Sequence, residues 1–191
     1  MIKQSISVVT SLCLVASINH TAPAHGRRVA DVDVPDTSEV AGRTLVLNGA
    51  ALYEASFLEI DIFVAALYLE KPTRSGRSAS SCEGPVEFDF FWLYEPSLSQ
   101  IEVPWRDTMR ANAGANLGRL EARIEQLIKA LRAPVEGQRW RFAFAPDKGL
   151  TFSIDGAPIV TVPGQDFCQL FMGGHVGEHA DETMRRGLLG H

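Results

Sequence analysis

The sequence predicts an α+β domain: a mostly antiparallel β-sheet backed by helices. Three observations predict it. Residues 57–69, 86–93 and 138–145 each alternate apolar and polar side chains over at least part of their length, the period of a strand. Trp105, Met109, Ala113, Leu117, Leu120, Ile124, Leu127 and Leu131 recur at three and four residues, which is one helical face. The segments run strand–strand, helices, strands, helices, with tight-turn signals between the last strands.

The 191-residue length suits one domain with room for a substantial core. Met1-Ile2-Lys3 followed by an apolar stretch over 5–18 and Ala22-Pro23-Ala24 reads as a secretory signal peptide, residues 1–24. Its apolar stretch is short for a membrane span, and none is expected in the mature chain. A periplasmic location follows as the expectation. The net charge is −5, and losing Lys3 with the leader makes it more acidic. An acidic chain without a basic run has no footprint for nucleic acid. Cys82 reads as a loop residue and Cys168 as part of an apolar helix face. They are expected as two separate thiols, although an oxidising compartment leaves pairing open.

Taken in order, residues 25–39 read as an N-terminal tail and 40–190 as the domain. Leu45-Val46-Leu47 is a short apolar run, and Asn48-Gly49 suits a tight reversal because both residues tolerate positive φ. The strand over 57–69 begins with Glu59 and Asp61 on one face and turns apolar at Phe63, Ala65 and Leu67. It should therefore run from water into a core or a lined cleft. The 86–93 strand repeats this gradient, which predicts Glu59, Asp61, Glu87 and Asp89 at rims. Pro104 is suited to a first helical turn. With Gly114 and Gly118 weakening the middle, two helices are predicted, about 104–111 and 117–131. Strands over 138–145, 150–154 and 158–162 form a meander joined at Pro146–Gly149 and at Asp155-Gly156. A short helix over 165–172 is broken by Gly173-Gly174, and a last helix covers 181–189.

The order and spacing of several pieces resemble the chalcone isomerase-like domain family, in its secreted bacterial branch. They are LNGAAL at 47–52, FVAALYLEKP at 63–72, WRDTMRAN at 105–112, RLEARIEQL at 119–127, GLTFSIDG at 149–156, VPGQDF at 162–167 and RRGLLG at 185–190. The resemblance implies an open-faced β-sandwich with an apolar cleft between sheet and helices. It also implies one of two functions. True isomerases of the family close a chalcone to a flavanone without a cofactor, by confinement and charge stabilisation. Other members lack catalysis, and some bind fatty acids in the same cleft.

The resemblance places the isomerases' arginine after the piece that reads here Gly49-Ala50-Ala51-Leu52, and that position is Tyr53. It places their strand threonine five residues before Tyr68-Leu69-Glu70, and that position is Phe63. Tyr94 is the one tyrosine near the loop that would hold a catalytic tyrosine. With the guanidinium and hydroxyl replaced, the resemblance implies a non-catalytic protein that binds a small apolar or amphipathic, fatty-acid-like ligand. The expected cleft residues are Tyr53, Phe63, Ala65, Leu67, Trp105 and Met109. The alternatives are an isomerase or lyase that substitutes Tyr53, Arg106 or Arg110 for the family set, and an envelope protein that binds a partner and no small ligand. Arg106 and Arg110, one turn apart, have the planar guanidinium that suits an anion, or they lie along a helix surface. His175 and His179 have a spacing that holds a metal on a helix, but Gly174 and Gly177 argue against a helix there and no third ligand is evident. No metal and no cofactor are expected.

Overall fold

The computed structural model describes residues 26–55 and 60–191. The leader and the first residues of the predicted 57–69 strand lie outside them. A hairpin of β1 (Gly26–Val29) and β2 (Val32–Pro35) precedes a seven-stranded sheet. Its strands are β3 (Thr37–Val40), β4 (Arg43–Ala55), β5 (Ile60–Leu69), β6 (Val86–Trp92), β7 (Arg139–Ala145), β8 (Gly149–Ile154) and β9 (Ala157–Val162). They lie side by side in chain order, each antiparallel to the next. Edge strand β3 nevertheless touches β6 and β7, which only a strongly curled sheet allows. The sheet is thus a half-barrel. The helices are α1 (Gly76–Ala79), α2 (Leu98–Ala113), α3 (Leu117–Ala130), α4 (Gln165–Val176) and α5 (Glu182–Leu188).

Several elements differ from expectation, each for a physical reason. Residues 25–39 are expected as a tail, yet residues 26–40 carry three strands; Val34 and Val40 are buried against Leu45, Val64 and Tyr68. Asn48-Gly49 is not a reversal. Strand β4 runs through it with a slip in register between Leu47 and Gly49, and its antiparallel pairing with β5 extends to Ala55 opposite Ile60. The Asn48 side chain donates to the Leu188 carbonyl at 2.7 Å and accepts from the Thr73 amide at 2.6 Å. A Cβ on Gly49 would lie 2.3 Å from the Gly187 carbonyl oxygen. The bulge therefore receives α5, and glycine is needed for that close approach.

Helix α2 starts earlier than Pro104. Ser97 opens it, its amide donating to Gln100 Oε1 at 2.8 Å, and Pro104 sits inside at the expense of one helical hydrogen bond. Helix α4 continues through Gly173-Gly174 because Phe171, Met172 and Val176 are buried, and packing overrides weak propensity. Cys82 and Cys168 are not separate thiols. They form a disulfide that fastens the loop before β6 to α4 across 86 residues of chain.

The two faces of the sheet carry different cores. The helix face is aromatic: Phe88, Phe90, Trp92, Trp140, Phe142 and Phe152 pack beneath Ile124, Leu127, Phe167 and Phe171. Phe142 stacks on both Phe152 and Phe171 with centroids 4.7 Å apart. The opposite face, covered by the β1–β2 hairpin and β3, holds Glu87 and Asp89. Both were expected at a rim, and both are fully buried. The register explains this. Asp89 pairs across the ladder with Arg141, and Arg139 reaches Asp89 Oδ2 at 2.9 Å through Nε and Glu87 Oε1 at 3.1 Å. Arg141 also holds Glu87, and Ser38 of β3 donates to Glu87 Oε1 at 2.7 Å. Buried carboxylates persist when paired and hydrogen-bonded in this way.

Candidate functional site

One cavity lies where the helix layer meets the open end of the β4–β5 pair. Cross-strand neighbours Tyr53 and Phe63 stack there with centroids 5.0 Å apart and planes at 15°. Phe63 meets Phe90 and Trp92 edge-on at 5.0 and 5.2 Å. Trp105 of α2 descends onto Phe90 and Phe142 at 5.4 and 5.5 Å. Helix α4 contributes Gly174 and His175, and α5 closes the far wall with Met184 and Leu188, with Asp181 just before it. The space is partly open to solvent and has a volume of about 130 Å³. An apolar cavity of about 150 Å³ accepts a benzene-sized guest, so this one has room for a ring or the end of a short chain. Three larger hollows, about 390 Å³ beside Cys82, about 370 Å³ between Arg74 and Arg186 and about 230 Å³ between Asn112 and Asp166, carry charged or polar side chains on their walls. Among these four, over the described residues, the Phe63 cavity is the one walled by aromatic rings.

Its polar groups are few. His175 is half-buried, with Nδ1 2.8 Å from the Phe171 carbonyl oxygen one turn earlier. Burial pushes its pKa down to about 4, against a smaller opposing effect of that carbonyl. The imidazole is therefore neutral at ordinary pH. Asp181 caps α5, its Oδ1 accepting from the Met184 amide at 2.9 Å. Tyr53 is 39% exposed.

Tyr53, Phe63 and Trp105 thus meet at one cavity. Ala65, Leu67 and Met109 lie inside the adjoining core and are not on its walls. Arg106 and Arg110 are also elsewhere. Arg106 Nε binds Glu125 Oε1 at 2.9 Å, and Arg110 Nε binds Glu121 Oε1 at 3.1 Å, so together they clamp α2 to α3. Arg106 foremost holds the Glu125 carboxyl below the usual carboxylate range. Tyr94 is exposed beyond β6, and Tyr68 is buried on the opposite face of the sheet. His179 is exposed, and among the described residues no three His, Cys, Asp or Glu side chains gather as a metal-binding group. Phe90, Met184 and Leu188 escaped the sequence reading, and His175, weighed there as a metal ligand, was not expected at the cleft. The four-residue step from Phe171 to His175 was the available signal, hidden by the two glycines between them.

The family model described as chalcone isomerase-like matches residues 26–190. No curated protein matches the chain. Among solved structures, the fold is similar to the crystal structure of an Arabidopsis thaliana fatty-acid binding protein. The TM-score is 0.66 at 14% sequence identity, over 83% of this chain and 92% of that one.

Proposed function

This chain belongs to the chalcone isomerase-like family, and we propose that within it the protein is a non-catalytic binding module for a small apolar or amphipathic molecule. The observation that carries this reading is the aromatic cavity of about 130 Å³ beside Phe63. Its walls supply apolar contact, and its charged group is a carboxylate already engaged as a helix cap. Developing anionic charge on an enolate or phenolate needs donors or a cation aimed at it. Tyr53 and Phe63 instead fill those positions with a stacked pair, and the α2 arginines are tied to glutamates. The fold neighbour's fatty-acid binding supports an apolar ligand class. The cavity's size favours insertion of one end of the ligand, the remainder lying along Tyr53 towards solvent. The signal-like leader and the Cys82–Cys168 disulfide support export to an oxidising compartment.

Native mass spectrometry of the purified protein tests the reading. The expected spectrum has a bound mass of a few hundred daltons, lost on organic extraction and restored by adding the extract. A bare chain that takes up no added short-chain lipid or small aromatic would count against it.

A further inference from the structure

We propose that the Phe63 cavity selects a ligand whose buried end is a neutral hydroxyl donor, an alcohol or a phenol, with His175 Nε2 as its acceptor. The inference rests on the ligand-binding reading and sharpens it to a head-group chemistry. A carbonyl oxygen only accepts hydrogen bonds, so the 2.8 Å contact with Phe171 makes Nδ1 the protonated nitrogen. In the neutral ring Nε2 is then a lone-pair acceptor. Burial keeps the ring in that form well below neutral pH.

Among the described residues, the cavity walls contain no lysine or arginine. Their one charged group is the Asp181 carboxylate, on an exposed residue. A carboxylate guest would therefore meet an imidazole lone pair and a like charge, and would lose its hydration without a counter-ion. A hydrocarbon guest would leave Nε2 without a partner. An O–H donor satisfies it and still places an apolar body against Phe63, Phe90 and Trp105. This differs from a site built to hold a free carboxylate by a cation.

Isothermal titration of the full mature chain at pH 7.5 with benzyl alcohol, benzoate and toluene tests the proposal. All three are close to the cavity in size and differ at the polar end. Benzyl alcohol should bind about tenfold more tightly than benzoate and about fivefold more tightly than toluene, the scale of one net hydrogen bond. His175→Phe should bring benzyl alcohol level with toluene. His175→Gln, which keeps an acceptor, should retain part of the preference and guards against a phenylalanine variant that folds poorly. Benzoate binding as tightly as benzyl alcohol would overturn the head-group assignment while leaving the cavity a binding site. An alcohol preference unchanged in both variants would remove His175 as the acceptor. Absence of saturable binding by all three would overturn the binding reading itself.

Discussion

The two faces of the curled sheet handle polarity in opposite ways. On the helix face, aromatic rings from β5, β6, β7 and β8 meet four helices, and a hollow remains at one end with a neutral histidine in its wall. On the opposite face, two carboxylates are buried beneath a hairpin and an edge strand, held by two half-buried arginines. The same strands serve both faces. Phe88 and Phe90 point one way while Glu87 and Asp89 point the other. The charged face closes around paired charges, although Asp89 Oδ1, Arg141 Nε and the Tyr68 hydroxyl have no hydrogen-bond partner there, whereas the aromatic face leaves an open space. This contrast teaches that conspicuous charge marks the structural face and a nearly apolar hollow marks the proposed binding site.

Breaking the disulfide should have the largest effect, because it secures the helix face alone. Closing a loop of 86 residues corresponds to about 4–5 kcal/mol of chain entropy. Denaturant unfolding with and without reductant should show a loss of that order; a change under about 1 kcal/mol would mean that α4 is held by packing alone. Breaking the opposite face comes next. Arg139→Met leaves Asp89 without its main partner and should cost roughly 3 kcal/mol, whereas adding Asp89→Leu should recover much of the loss. Neither change should alter ligand affinity, and an affinity change would show that the faces communicate.

Acidity sharpens the comparison further. Burial, then the neighbouring Glu87, raises the Asp89 pKa to about 7 despite Arg139 and Arg141. The folded state then holds a proton that the unfolded state releases near pH 4, so this group's contribution to stability is lost as pH rises from about 4 to about 7. His175 has the opposite sign. Its folded pKa of about 4 lies below the ordinary 6.5, so its contribution is lost as pH falls through that window. Asp181 and Tyr53 are the titratable residues beside it on the described cavity wall, and Glu87, Tyr68, Arg139 and Arg141 surround Asp89. Relative to the unmodified protein, His175→Phe should make stability fall more steeply with rising pH between 4 and 6.5. Asp89→Asn should tilt it the other way. Parallel curves for both variants would contradict the assignment. The smallest expected effect is none at all: incubation with a chalcone should leave the enone absorbance at its buffer rate. A rate above buffer that vanishes in Tyr53→Phe would give the aromatic face a chemistry not ascribed to it here.

The strands and the amphipathic α3 were legible because a period of two or of 3.6 residues is written locally. Phe63 and Trp105 were legible as candidates through the apolar end of one strand and the stripe of one helix. What escaped depends on long-range register. Glu87 and Asp89 look like solvated residues until Arg139 and Arg141 are set on the neighbouring strand. Asn48-Gly49 carries the chemistry of a turn, and only the arrival of α5 shows it to be a bulge. Cys82 and Cys168 meet because α4 folds back over the sheet, which no spacing encodes. His175 was set aside because two glycines weaken a helix that burial then sustains.

The most direct test of the central claim is methyl NMR during a titration with toluene. Met184 and Leu188 line the cavity, while Val34 and Val64 lie on the opposite face. Saturable shifts at Met184 and Leu188, with Val34 and Val64 silent, are the predicted result. No saturable shift at Met184 and Leu188, or equal shifts on both faces, would contradict it.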